Sequence, residues 1–63
     1  MNNNTKLEIA IEIMAAKIAN VSRENDDTKD EKIKILMEER TKMYQFDEKI
    51  IDKIINVYGK EIK

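Results

Sequence analysis

Asp47, Glu48 and Asp52 are the residues of this 63-residue chain whose types and spacing come nearest to chemistry. Glu48 and Asp52 stand four apart, so on a helix their carboxylates share a face and could hold a divalent ion or a single proton between them. Lys49 and Lys53 lie beside them at the spacings of helical neighbours, which favours a solvated, ion-paired face over a shared site, and no metal or other cofactor is expected. Lysines 49, 53, 60 and 63 recur in steps of four, seven and three. They would form a basic stripe for nucleic acid if helix persists beyond Gly59, with Lys49, Lys53 and Lys60 as its contacts. Lysines near a helix C-terminus also complement the macrodipole, and no aromatic ladder accompanies these, so nucleic acid is not the expected partner. Ser22, the only serine, falls at a turn, where local backbone hydrogen bonding is its usual role.

Other reaction classes lack their residues. There is no His and no Cys, which removes imidazole acid/base chemistry, thiol nucleophiles, disulfides and Cys/His zinc sites together. No phosphate-binding glycine loop, calcium loop or serine triad is present. A non-enzymatic protein is therefore expected. The 12 basic and 13 acidic residues give a formal charge of −1, a balance unlike that of an electrostatic nucleic-acid or membrane binder. The longest apolar run is Ile13-Met14-Ala15-Ala16, far short of the roughly 20 residues of a membrane span. The expectation is a soluble, cytoplasmic protein.

With one Gly and no Pro among 63 residues that are 41% apolar and 40% charged, the elements must be helices. Thr5-Lys6-Leu7-Glu8 and Thr28-Lys29-Asp30-Glu31 both fit the capping box. They predict an antiparallel hairpin of helices over about 5–23 and 29–58, within a single helical domain over 1–63. Residues 1–4 are expected to be disordered and 60–63 frayed, and Gly59 is placed as an αL terminator. Residues 24–39 hold seven acids and three bases, making the turn end acidic. Leu7, Ile11, Met14, Ile18 and Val21 form one seam of the first helix, while Ile9, Ile13 and Ala16 fall almost opposite. A helix that is apolar on two sides needs two covering surfaces.

The second helix would extend about 45 Å against roughly 29 Å for the first. Its overhang carries Ile50, Ile51, Ile54, Ile55, Val57 and Tyr58, which must be covered. Two arrangements do so. In the first, the second helix is continuous and two hairpins dimerise into a four-helix bundle. Ile9, Ile13, Met43, Tyr44, Ile50, Ile51, Ile54, Ile55 and Tyr58 then line the interface, and Arg40 of one copy lies opposite Asp47 of the other. In the second, the chain breaks near 45–47, Asp47 caps a third helix, Phe46 staples onto Ile51, and a monomeric three-helix bundle results. The absence of Gly or Pro in the segment and the unbroken phase of the seam favour the continuous helix and the homodimer.

In length and plan the inferred hairpin dimer resembles the repressor-of-primer family of plasmid RNA-binding proteins, which implies an RNA- or DNA-binding bundle. The 11 residues from Glu48 to Tyr58, Glu-Lys-Ile-Ile-Asp-Lys-Ile-Ile-Asn-Val-Tyr, are similar to the Ser-Gln-Glu-Leu-Asp-Lys-Leu-Ile-Asn-x-Tyr pattern of small sporulation aspartyl-phosphate phosphatases. Asp52 matches the signature Asp, while Glu48, Lys49 and Ile50 stand where that family has Ser, Gln and Glu. This resemblance implies docking on a response regulator through Asp52. The residues themselves favour a homodimeric interaction module or small regulator of a bacterium or mobile element, with another protein as a second kind of partner.

Overall fold

The structure, a computed structural model, describes residues 3–61. It is all-helical: α1 spans Asn3–Ser22, α2 Lys29–Tyr44, α3 Glu48–Lys53, a π turn Ile54–Tyr58 and α4 Gly59–Glu61. The last three run into one another as a third helix, so the molecule is a three-helix fold of 38 × 23 × 13 Å. The continuous helix over 29–58 is thereby overturned in favour of the break at 45–47.

Backbone bonding explains why the chain stops at Tyr44. The Phe46 amide donates to the Met43 carbonyl and the Asp47 amide to the Lys42 carbonyl. That is the bond pair of a Schellman ending. Phe46 occupies its left-handed position with φ 60°, where glycine is usual. Asp47 then serves both helices, because its carboxylate accepts from the Lys49 amide at 3.1 Å and the Ile50 amide at 3.4 Å and so caps α3. Phe46 and Ile51 line one shallow depression with Lys6, Glu48 and Asp52, the place of the expected staple. A stop and a start back to back outweigh a seam that merely keeps its phase. The left-handed Phe46 costs about 1–2 kcal/mol. Phe46→Gly is expected to raise stability by up to ~1 kcal/mol after the loss of its apolar contact, read from urea unfolding. A destabilised variant would show that the ring matters more than the backbone.

The connection between α1 and α2 also differs from its expected form. Thr28 stands at the N-cap of α2 but makes no side-chain cap bond. Its amide and its hydroxyl both donate to Asp26 Oδ1 at 2.9 Å, and Lys32 Nζ donates to Asp26 Oδ2 at 2.9 Å and to Glu24 at 3.2 Å. The Thr28 amide first, then Lys32 and the Thr28 hydroxyl, hold the Asp26 carboxyl at about 2. Because this folded value lies below the ordinary 3.8, its stabilisation is present above pH 3.8 and is lost as pH falls through about 2. Asp26→Asn should flatten the acid limb of a stability profile in that window, and an unchanged limb would remove Asp26 from the account.

The first helix also extends beyond its expected start. α1 begins at Asn3, so Thr5 lies within the helix and Asn3 and Asn4 are helical; Met1 and Asn2 lie outside the described residues. Ser22 ends α1 and donates its hydroxyl to the Ile18 carbonyl at 2.8 Å. Lys60 and Glu61 are helical, and Ile62 and Lys63 lie outside the described residues.

The core comprises Ala10, Met14 and Val21 of α1, Leu36 and Met43 of α2, and Ile51 and Ile54 of the third helix. Leu7, Ile11, Ile13, Ile18, Ile33, Ile50, Ile55 and Tyr58 pack around it. The surface expected to cover a partner is thus largely occupied within the one chain. Ile13, Met43, Ile50, Ile51, Ile54, Ile55 and Tyr58 pack in cis, Ile9 is half-buried outside this core, and Tyr44 and Arg40 are exposed. Asp47 is half-buried and its carboxylate caps the third helix.

Gly59 is no terminator: it is right-handed at φ −60°, ψ −33°, and the helix runs through it. Its amide donates to the Ile54 carbonyl five residues back, closing the π turn. One extra residue in the turn sets the succeeding residues back by about 100° around the axis, which brings Gly59 against α1. A Cβ there would lie 3.1 Å from Ile13 Cδ1. Gly59→Ala is expected to be near neutral, since that methyl can rotate away and helix propensity gains about 1 kcal/mol. Gly59→Leu should cost about 1–3 kcal/mol by overpacking, and equal stability of the two variants would refute the close approach.

Candidate functional site

Glu39 is the one buried charged side chain among the described residues, 7% exposed. Its Oε1 accepts from the Tyr58 hydroxyl at 2.6 Å and its Oε2 from Lys53 Nζ at 2.5 Å. Lys53 and Lys17 also lie over the Tyr58 ring, 5.5 and 5.3 Å from its centre, and Lys17 pairs with Glu61 at 2.7 Å. The cluster ties all three helices together. Burial first, then the bond to Glu39, pushes the Tyr58 phenol up, and the Glu39 bond raises Lys53. Every oxygen of Glu39 is satisfied, which gives this network the character of a structural clasp rather than a reactive centre.

Glu39 was legible only in part from the sequence. It lies three residues after Leu36 and four before Met43, the spacing of a buried row, but Arg40 beside it fits the same seam. The order of the helices decides between them: α3 lies on the Glu39 side, leaving Arg40 exposed with its guanidinium 5.1 Å from the Tyr44 ring.

The acidic residues of the C-terminal half are dispersed in role. Asp47 caps α3, Asp52 pairs with Lys6 at 3.5 Å, and Glu48 is exposed beside the shallow depression. Among the described residues no three His, Cys, Asp or Glu are placed to hold a metal ion. Lys49, Lys53 and Lys60 are all exposed; Lys53 also donates to Glu39, and the helix runs on through Gly59 to Glu61 with a π turn that rotates Lys60 relative to the other two. No helix among the described residues is long and apolar enough to cross a membrane.

A different surface is left over. On α1, Lys6, Ile13 and Lys17 meet the third helix, and Ala10, Met14 and Val21 are buried. Leu7, Ile11 and Ile18 therefore fall on the far side of the buried row. On α2, Glu39 meets the third helix and Leu36 and Met43 are buried, so Ile33, Met37, Arg40 and Tyr44 fall on the far side there too. Because the two helices are antiparallel, both far sides look the same way, opposite the third helix. Met37 and Tyr44 keep 46% and 47% of their surface in solvent. No protein-family model, curated protein or solved structure matches this chain.

Proposed function

We propose that this protein is a non-enzymatic helical interaction module that docks a polypeptide helix across the face of α1 and α2 opposite its third helix. The supporting observation is that Met37, Arg40 and Tyr44 remain exposed beside Leu7, Ile11, Ile18 and Ile33 after all three helices have packed. Aromatic residues, Met and Arg are the types enriched at protein interfaces. A pair of parallel-lying helices presents a groove into which an amphipathic helix fits ridge into groove.

A photo-crosslinking residue placed at 37 or 44 tests the reading in living cells, with position 49 on the third helix as control. Discrete adducts from 37 and 44 and none from 49 are expected. Equal or absent adducts at all three positions would overturn it.

A further inference from the structure

The face that the docking reading depends on is self-complementary. Asp30, Ile33, Met37, Arg40 and Tyr44 succeed one another along α2 in steps of three, four, three and four, a single row on the helix surface. Within it Asp30 and Arg40 are equidistant from the point midway between Ile33 and Met37. Turning a second α2 antiparallel about that point sets Asp30 against Arg40 of the second copy, Ile33 against its Met37, and the reverse. Each contact thus occurs twice, as a two-fold interface requires.

Asp30 and Arg40 are both exposed, and neither takes part in the ion pairs within the described residues, which involve lysines 6, 17, 32 and 53. One acid and one base flanking an apolar centre suit a partner with the same pattern reversed. A strongly acidic or strongly basic partner would meet a like charge at one end.

We infer, resting on the docking reading, that the occupant of the α1/α2 face is a second copy of this chain, packed antiparallel about a two-fold axis with Asp30 of each copy opposite Arg40 of the other. Two α1/α2 layers then form a four-helix bundle, with a third helix on each outer side. This differs from the hairpin dimer expected from sequence in its register and in its residues.

Light scattering on a sizing column, from about 1 μM to 1 mM, reads the association directly, with circular dichroism confirming that each variant is folded. The wild type is expected to dimerise within that range. Arg40→Asp and Asp30→Arg, each placing like charges together twice, should weaken the dimer by about tenfold or more, and the double exchange should restore it to within about threefold of wild type. Met37→Glu should give a folded monomer. A wild-type monomer throughout, or a double exchange no better than the single variants, overturns the inference. The crosslinking experiment separates the two readings. Adducts from position 44 with a different protein, together with a monomer in solution, would leave docking standing and remove the second copy. A monomer with no adducts would remove both.

Discussion

Glu39→Ala is expected to lower stability by about 2 kcal/mol, with the midpoint of urea unfolding moving and its slope unchanged. The carboxylate accepts two hydrogen bonds while itself only 7% exposed. Truncation leaves the Tyr58 hydroxyl, in a half-buried position, without its acceptor. Lys53 loses less, because its side chain is 44% exposed and water can take over the ammonium. For a domain of this length total stability is roughly 3–9 kcal/mol, so the loss is a substantial share. Glu39→Leu combined with Tyr58→Phe removes the charge and the hydroxyl together, and should come within about 1 kcal/mol of wild type. A double-mutant cycle between Glu39→Ala and Tyr58→Phe should show a coupling of about 1 kcal/mol. If Glu39→Ala unfolds at the wild-type midpoint, the clasp contributes nothing.

The same cluster sets an alkaline limit. Lys53 is raised above 10.5 by Glu39, and Tyr58 above 10.0 by burial and by Glu39. Both folded values exceed the unfolded ones, so the folded chain holds protons more tightly. The stabilisation is complete below about pH 10 and is lost as pH rises through the raised values. Tyr58→Phe should make the alkaline limb of the stability profile shallower, and an identical limb would assign it to other groups.

Ile54→Ala is expected to cost about 3 kcal/mol, enough to populate the unfolded state at moderate temperature. Ile54 is fully buried at the start of the π turn, so the deleted atoms leave a cavity between the third helix and the other two. The site also discriminates between the two ways of covering the apolar C-terminal segment. Here Ile54 packs within its own chain, so its loss should lower the stability of the folded chain and leave the association constant of the folded variant unchanged. Were the segment buried against a second subunit, the same substitution would appear chiefly as weakened association of the folded chain.

Particular residues show how far the sequence could be read. The two helix starts near Thr5 and Thr28 were legible because a cap must precede an apolar period, although at the second start the Thr28 hydroxyl bonds Asp26 and not a helix amide. Asp26 takes Thr28 for itself in an Asx turn, its carboxylate accepting from the amide and hydroxyl two residues on. Asp47 was legible as a cap for a third helix. The weight to give it was not, because Phe46 in a left-handed conformation breaks the usual preference for glycine. Gly59 misled for the converse reason. A lone glycine near the end of an apolar run reads as a terminator, but here it is small so that Ile13 can come close.

Composition and periodicity by themselves determined that the chain is helical and where its polar connection lies. These come from local preferences and from the 3.6-residue repeat, which act within one helix at a time. The tertiary structure alone decided what covers the second apolar side of α1, that Glu39 rather than Arg40 is buried, and that Lys53 belongs to an internal ion pair. Each depends on the third helix folding back, and that depends on a balance among the turn at 45–47, the cap at Asp47 and the burial of Ile51 and Ile54. Its terms come from residues far apart in the chain, and one pattern of apolar residues fits burial by its own third helix and burial by a neighbour equally well.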